Sequence, residues 1–464
     1  MRKSSGAVAS HVVSHVALAA YLLSAFSPVL IAPAYAQSNE DVRRMTVMQR
    51  PREAYDAQGV AVGEGFRLNS SLGVSEAYDD NIYATHSNTV SDFETLIAPS
   101  ISLDSNWSRH AFSISGYGKI HRYADRTTED NEEYGAAGYF RLDLARGGTL
   151  NFTGSYDRQT LSRTDPENAQ RITPEQVNII RGGVSFRQQF SRLLIGADAG
   201  YTDWNEVSSL DAEKNRHEYT GSVRAGYVLS PALNVFVEPS YTVRNFERSA
   251  SCSGGVSCPF PDHDSQIFDI SLGAGYDITG ILYGETTVGW YSDNFAAVGI
   301  PNATGISVKS STTWNVTARD SFILTVRRES DVTTQVFGAS SNQRTSFELD
   351  LQHELLRNVV LQANVSYANE DYTGSQAVFA FESIPGNTTF LSSAPTGTGK
   401  RQDDVYQAGI EADYFINRHF SLYAQYQFYK RNSNSVNFDV STGHAEAINT
   451  YDDNRIMIGV KVKL

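Results

Sequence analysis

Apolar and polar residues alternate along most of this chain with a period of two residues. In the segment 150–159, for example, Leu150, Phe152 and Tyr156 are separated by polar residues. Successive side chains of a β-strand point to opposite faces, so this pattern predicts strands with one apolar and one polar face. Segments of this kind, each about ten residues long, follow one another from residue 66 to the end of the chain. The sequence therefore predicts an all-β fold.

Soluble β-sandwiches and transmembrane β-barrels both show such alternation. The lengths of the links between predicted strands favour the barrel. Short turns such as 146–148 and 191–192 alternate with long polar loops such as 160–176 and 369–404. Bacterial outer-membrane barrels have short turns at the periplasmic rim and long loops at the other. We therefore predict an antiparallel up-and-down transmembrane β-barrel of about 18 strands (about 16–18), with short periplasmic turns and long extracellular loops.

The alternation also predicts where each strand lies. An even number of strands returns the C-terminus to the side of the membrane on which the barrel begins. The predicted strands cover residues 66–78, 92–105, 111–122, 133–145, 149–159, 177–190, 193–202, 218–229, 233–244, 267–278, 281–291, 305–317, 321–329, 344–355, 359–368, 405–416, 420–429 and 453–464.

The N-terminus has the features of a secretory signal peptide. Arg2 and Lys3 precede an apolar stretch that ends in an A-x-A sequence. We therefore expect a signal peptide over 1–36, an N-terminal periplasmic extension over 37–62 and the transmembrane β-barrel over 63–464. The extension is expected either to plug the barrel lumen or to contact a partner. Secretion of a barrel-forming chain also predicts the outer membrane of a Gram-negative bacterium as its location, in contact with lipid and lipopolysaccharide.

The last predicted strand ends in an alternating apolar set that includes Ile456, Ile458 and Leu464. An apolar terminal residue after such a strand resembles the signal by which the barrel-assembly machinery recognises its clients. We therefore expect this machinery to be a partner, although Leu464 takes the place of the Phe that usually ends such strands.

If the apolar face of each strand contacts lipid, the opposite face lines the barrel interior. A charge facing lipid at the bilayer midplane costs about 2–4 kcal/mol, so charges confined to one face predict a hydrated lumen. A barrel of about 16–18 strands is wide enough for an aqueous channel. The charged residues predicted to line it are Lys119, Arg141, Asp143, Asp157, Arg187, Asp198, Arg224, Glu238, Asp269, Asp277, Glu285, Arg327, Glu348, Asp350, Glu411 and Asp413.

Tyr117, Tyr139, Tyr283 and Tyr423 also fall on the predicted inner face. Aromatic rings can stack on sugar rings, which favours a carbohydrate cargo, but the same tyrosines could equally fill space between strands. The charges on this face have both signs, which predicts hydrophilic cargo without a strong preference for either sign.

Composition and motifs exclude several functions. The chain carries 52 Asp and Glu against 38 Lys and Arg, a formal net charge of −14, which argues against a nucleic-acid partner. It lacks the serine-hydrolase, zinc-protease and phosphate-loop motifs, so we expect no enzyme and neither a cofactor nor a metal site. The nearest local cluster, Asp262-His263-Asp264, is better explained as a solvated loop tip than as an active site.

Cys252 and Cys258 lie in one predicted loop with the spacing C-x5-C. In an oxidising periplasm or at the cell surface they can form a disulfide. Closing so short a loop adds less than about 3 kcal/mol, so the bond would shape the loop more than hold the fold.

The start of the expected mature chain carries two recognisable motifs. Residues 50–59 read R-P-R-E-A-Y-D-A-Q-G, and after a first strand the sequence continues with Tyr78, Asp79, Asp80, Asn81, Ile82 and Tyr83. These motifs resemble the putative β-barrel porin 2 family of proteobacterial outer-membrane proteins. Related barrels are associated with exopolysaccharide production and export, so the resemblance implies that role and polysaccharide export components as partners. It implies no agreed functional residues.

Within the second motif, Asp79, Asp80 and Asn81 have two interpretations. Short polar side chains of this type cap a turn through Asx-type hydrogen bonds, and we favour that interpretation. The same residues could instead bind a cation.

Two functions remain open. The first is an outer-membrane pore for the export or passage of polysaccharide or other polar solutes. The second is a non-conducting structural or adhesive surface barrel that acts through its acidic extracellular loops.

Overall fold

The structure is a computed structural model of the chain. It describes residues 44–168, 173–208, 212, 214–247, 263–296, 300–333, 339–374, 380–384, 387–391, 400–434, 436–439, 444–447 and 449–464. The expected signal peptide and the expected disulfide between Cys252 and Cys258 lie outside the described residues.

The described part of the chain forms one large antiparallel sheet of long strands. We label these strands β1 to β18 in chain order. They are β1 (Phe66–Asp79), β2 (Asp92–Ser105), β3 (Ala111–Tyr123), β4 (Asn131–Asp143), β5 (Thr149–Thr160), β6 (Gln176–Phe190), β7 (Leu193–Glu206), β8 (Arg216–Ser230), β9 (Leu233–Phe246), β10 (Ser265–Ile278), β11 (Leu282–Phe295), β12 (Ala303–Trp314), β13 (Asp320–Val332), β14 (Ala339–Leu356), β15 (Val359–Gly374), β16 (Gln402–Phe415), β17 (Phe420–Ser433) and β18 (Tyr451–Lys463).

Each strand pairs with the next in the chain, and β1 also pairs with β18, from Asp79 opposite Arg455 to Ser71 opposite Lys463. This last pairing closes the sheet into a barrel. Closure leaves no sheet edge, so the backbone N–H and C=O groups are paired within the wall, as hydrocarbon requires. The predicted all-β, up-and-down barrel of 18 strands is confirmed.

The outer surface of the barrel is apolar. Its alternating residues include the most exposed large hydrophobic side chains of the described chain, with Leu272 at 68%, Ile458 at 62% and Ile410 at 61%. A continuous exposed apolar surface would be unfavourable in water and is expected of a wall that faces lipid.

Strand boundaries depart from the prediction mainly at the end with the long loops. Strand β15 was expected over 359–368 but continues to Gly374, because its polar residues Glu370 and Tyr372 point inward and are buried rather than solvated in a loop. At the opposite end, β4 ends at Asp143 instead of residue 145, because the chain turns with positive φ at Arg146 (61°).

Smaller elements complete the fold. Val60–Val62 forms a short strand that pairs with the start of β1. Three single-turn 3-10 helices and two short hairpins lie outside the barrel strands. The helices are Val47–Gln49, Thr127–Glu129 and Ala145–Gly147, and the hairpins join Ala380–Ile384 to Asn387–Leu391 and Val436–Asp439 to His444–Ala447. Over the described residues, helices are too short to cross a membrane.

Candidate functional site

The structure places all of the predicted lumen residues on the face of their strands opposite the exposed apolar side chains. In β10, for example, Asp269 and Asp277 alternate with Phe268, Ile270 and Leu272, which are exposed on the outside. Most of these inner charges meet a partner of opposite sign. The ion pairs are Lys119–Glu133 (3.2 Å), Arg141–Asp143 (2.9 Å), Asp157–Arg181 (3.2 Å), Arg187–Asp198 (2.9 Å), Arg224–Glu285 (2.8 Å), Arg224–Glu238 and Asp277–Arg44.

The remaining predicted residues accept hydrogen bonds from neutral groups or share a small cavity, except Arg327, which lies opposite another cation. Asp413 accepts a hydrogen bond from Gln362 Nε2 (3.1 Å), and Glu411 accepts one from Gln425 Nε2 (3.1 Å). Glu348, Asp350 and Glu411 line a cavity of about 100 Å³ with these glutamines. Asp269 accepts from Ser271 and Ser307, and Arg327 lies opposite Lys309 and Ser346 in the ladder.

Arg224 organises a triad that the sequence did not reveal. Its guanidinium bonds Glu238 on the next strand and Glu285 on β11, so it reaches past β10 along the inner surface. It also lies 3.8 Å from the ring centroid of Phe236, an apolar side chain that points inward and is only 5% exposed. The guanidinium is thus held by two carboxylates and a cation–π contact.

A sequence signal for Phe236 does exist. Its two ladder neighbours are Gly226 and Gly273. A Cβ at Gly273 would lie 2.2 Å from the Phe236 ring, so glycine is required there for the ring to lie flat against the wall. Two glycines opposite an aromatic residue, one on each neighbouring strand, therefore indicate that the aromatic ring points inward.

The loop after β5 turns into the barrel instead of projecting outward. We call residues 161–168 the inward loop. The Thr164 carbonyl accepts hydrogen bonds from Tyr451 Oη (3.2 Å) and Arg431 (3.5 Å), which belong to β18 and β17. Glu167 contacts Thr333, just after β13, and its carbonyl accepts from Lys214 Nζ (2.7 Å). The inward loop therefore spans the lumen near the end with the long loops.

A buried charge cluster lies beneath this loop. Arg431, which is 1% exposed, bonds Glu370 (3.0 Å) and Asp403 (2.6 Å), and these are 1% and 0% exposed. Arg344 also pairs with Glu370, and Arg401 also pairs with Asp403. Asp403 was expected in a solvated loop, but it lies in β16. Its ion pairs with Arg401 and Arg431 allow the strand to continue beyond the apolar outer surface. Only long-range pairing reveals this cluster, so alternation could not predict it.

Burial also raises the pKa of one acid of the inward loop, Asp165. Asp165 is 9% exposed and accepts a hydrogen bond from the Glu167 N–H (2.9 Å). Removal from water penalises the carboxylate, and it raises the pKa of Asp165 to about 7. The loop thus contains an acid that titrates near neutral pH.

The opposite mouth is occupied by the chain ahead of the barrel. We call residues 44–56 the N-terminal segment. Val47 is fully buried against Val360 and Phe415, and its N–H donates to Ser321 Oγ (2.9 Å). The Met48 N–H donates to Gln352 Oε1 (3.0 Å). Since these partners lie where β13 to β16 meet the short turns, the segment fills the inner surface at that end.

The motif around Asp79 ties the first strand to the last. Asp79 accepts a hydrogen bond from the Asn81 N–H (2.9 Å), the Asx-type turn that we favoured. Asp80 accepts from the Asn454 N–H (2.8 Å), and Asn81 Nδ2 donates to the Asp452 carbonyl (2.9 Å). The remaining motif residues are Tyr78, which packs on Phe93, the buried Ile82, and Tyr83, whose ring faces Arg163.

Comparison with protein-family models decides the relationship of this chain. The model described as Putative beta-barrel porin 2 matches residues 53–464, which is the whole barrel and part of the N-terminal segment. The chain belongs to this porin family. The resemblance seen in the two N-terminal motifs is thereby confirmed. No relative among the curated proteins matches the sequence of this porin-family member.

Several solved outer-membrane structures are similar to this porin-family barrel. OpdL of Pseudomonas aeruginosa has 11% identity and a TM-score of 0.40, covering 86% of this chain and 99% of its own. OccAB2 of Acinetobacter baumannii has 11% identity and a TM-score of 0.42, covering 88% and 99%. The siderophore receptor PirA of Pseudomonas aeruginosa has 8% identity and a TM-score of 0.40, covering 86% and 80%. Likenesses this distant carry no argument about cargo.

Proposed function

We propose that this porin-family barrel forms a channel for polar solutes across the bacterial outer membrane. The observation that carries the proposal is the division of the wall, with exposed apolar side chains outside and paired charges inside. Charges facing lipid would cost about 2–4 kcal/mol each, so such a wall is stable only around a hydrated interior.

Neutral, hydroxyl-rich solutes suit this interior best. Ten of its sixteen predicted charges lie in ion pairs, which weakens the field that cations and anions meet along the wall. Tyr117 donates to Asp157 (3.0 Å) and Tyr139 donates to Asn151 (3.0 Å), which leaves ring faces and polar edges side by side on the inner wall. Sugars combine the same two kinds of surface, which supports saccharides, including polysaccharide in transit, as the cargo.

The proposed partners follow from which parts of the barrel are exposed. Lipid and lipopolysaccharide would surround the apolar belt, and polysaccharide export components would meet the rims. The Leu464 N–H donates to the Ser70 carbonyl (2.9 Å), so the last residue extends the closing ladder while its side chain is 58% exposed. That exposed end is what we propose the barrel-assembly machinery recognises.

Conductance and sugar uptake test the proposal together. Purified protein in planar bilayers should give discrete current steps, and liposomes that contain it should swell in oligosaccharides at rates that fall with sugar length. A folded, inserted protein that produces neither current nor swelling, with or without its N-terminal segment, would remove the channel function. Empty liposomes and liposomes containing heat-unfolded protein provide the baseline.

One observation favours the second candidate, a non-conducting surface barrel. The N-terminal segment and the inward loop occupy the two ends of the lumen. If both stay in place, the barrel is closed and its extracellular loops would carry the function. Removing the N-terminal segment separates the candidates, because a gated channel would then conduct and a solid barrel would not.

A further inference from the structure

We propose that Asp79, Asp80 and Asp453 bind a Ca²⁺ ion that joins the first and last strands of the barrel. Each of the three carboxylates offers an oxygen, and these oxygens all lie within 4.8 Å of one another. Two ligands on one Ca²⁺, each at about 2.3–2.6 Å, can be separated by about 5 Å at most. The spacing therefore allows one ion to contact all three.

Asp453 provides a separate argument for a ligand. Its side chain points inward from β18 and is only 7% exposed. Its Oδ1 atom is buried and has no hydrogen-bond partner among the described residues. A buried carboxylate oxygen without a partner costs several kcal/mol unless a proton or a cation compensates it. A bound cation would satisfy that oxygen.

The surrounding groups hold the three acids together without neutralising them. Asp80 is fixed by Asn454, whose backbone N–H and Nδ2 each donate at 2.8 Å. Arg455, two residues after Asp453 on β18, is an ion-pair partner of Glu94 on β2. Because Arg455 must balance Glu94 as well, the cluster keeps a net negative charge that favours a divalent ion.

The choice of Ca²⁺ over Mg²⁺ follows from ligand type and coordination geometry. Both ions prefer oxygen ligands, but Mg²⁺ requires near-octahedral geometry at about 2.0–2.1 Å and gives up its waters reluctantly, so it is seldom held by a cluster of protein carboxylates alone. Ca²⁺ accepts more ligands in a looser arrangement. A site of three carboxylates completed by water at the cell surface is expected to bind with a Kd of about 10⁻⁴–10⁻³ M.

The location gives the ion a structural role that is independent of conduction. Asp79 ends β1, Asp80 follows it, and Asp453 lies on β18, so the ion would bridge the seam at which the barrel closes. Alternation predicted neither the site nor Asp453, since the ligands come from opposite ends of the chain.

Calcium titration of the full mature protein in detergent tests the site. We expect saturable binding of one Ca²⁺ by calorimetry and a rise of the unfolding temperature in Ca²⁺ relative to EDTA, neither reproduced by equal Mg²⁺. Asp453→Asn should weaken binding by at least about tenfold, because one of three anionic ligands is lost. Asp452→Asn, an exposed neighbour on the same strand, is the matched control and should bind as the wild type does.

The comparison in EDTA keeps the test independent of folding defects. Without Ca²⁺, Asp453→Asn should be as stable as the wild type or more so, since it removes repulsion within the cluster, and in Ca²⁺ the order should reverse. Asp79→Asn should repeat this reversal. If the wild type shows no calcium binding and no stabilisation, the cluster shares a proton instead and the proposal is wrong, whatever the barrel conducts.

Discussion

Arg431 joins two strands and the inward loop at the long-loop end of the barrel. It is almost fully buried, and it neutralises Glu370 and Asp403 while also bonding the inward loop at Thr164. Arg431→Met keeps most of the side-chain volume but leaves the carboxylates short of one cation. We expect a loss of about 3–5 kcal/mol in the free energy of unfolding, measured by urea denaturation in detergent.

The matched control for this substitution lies next to it. Lys430→Met removes the same charge from an exposed position on the outer face of the same strand, and it should change stability by less than about 0.5 kcal/mol. Equal effects of the two substitutions would mean that the buried ion pairs do not stabilise this end of the barrel.

Asp165 makes the inward loop sensitive to pH. Its pKa is raised to about 7 in the docked loop, against about 3.9 in an unfolded chain. A group whose pKa is raised on folding contributes stability at low pH, and this contribution is lost as pH rises from about 4 to about 7. The equilibrium between the docked and the undocked loop should therefore shift toward the undocked loop as pH rises to about 7, by up to about tenfold per pH unit. Amide hydrogen exchange of residues 161–168 should accelerate by more than the rise with pH that unprotected amides show.

Asp165→Asn cannot ionise, so it should abolish the extra acceleration between pH 5 and pH 7. Asp125→Asn, an exposed acid in a neighbouring loop, should leave it unchanged. If the wild type and Asp165→Asn have the same exchange profile, the buried carboxyl does not control the loop.

The sequence predicted the face on which each residue lies better than the partner it contacts there. A two-residue period assigns Arg224 and Glu285 to the inner wall, because every strand obeys the same alternation. It cannot show that Arg224 reaches past two strands, β9 and β10, to Glu285, since that contact depends on register and side-chain length. Phe236 departs from the alternation because it is an apolar residue on the inner face. The space for its ring is left by glycines on two other strands, which alternation within one strand cannot show.

At the scale of elements, the strands could be predicted and the direction of the segments between them could not. Strand β2 has the predicted bounds of 92–105, because both of its ends coincide with changes from alternating to irregular sequence. The inward loop reads as an ordinary polar loop, and only its partners on β17 and β18 draw it into the lumen. The N-terminal segment is similar, since Val47 and Met48 form only a short apolar run in the sequence until Val360 and Phe415 surround Val47.

The N-terminal segment should act as a removable closure of the short-turn end. Val47→Asp places a carboxylate in the pocket formed by Val360 and Phe415, at a cost of several kcal/mol, so the segment should leave the wall. We expect a higher single-channel conductance in planar bilayers with unchanged β-sheet content by circular dichroism. Val60→Asp, at a position that is 55% exposed, is the control and should conduct as the wild type does. Unaltered conductance of Val47→Asp would show that the segment does not limit the pore.

At the scale of the whole molecule, compensation of the inner charges should set the ion selectivity of the proposed channel. Arg224 faces the lumen with Glu238 and Glu285, so the triad carries one more negative than positive charge and the arginine field is screened. The wild type should therefore be unselective or slightly cation-selective. In a KCl gradient across a planar bilayer, its reversal potential should lie near zero.

Neutralising both acids should expose the arginine. In the double variant Glu238→Gln, Glu285→Gln, the Phe236 ring still holds the guanidinium in place, and an uncompensated positive charge remains on the wall. We expect the reversal potential to shift toward chloride preference, by roughly twofold or more in permeability ratio at low salt, and to return toward zero as salt screens the charge. Glu76→Gln with Glu132→Gln makes the same charge change on the outer face and should leave selectivity unaltered. A double variant with wild-type selectivity would mean that ions do not pass close to the Arg224 triad.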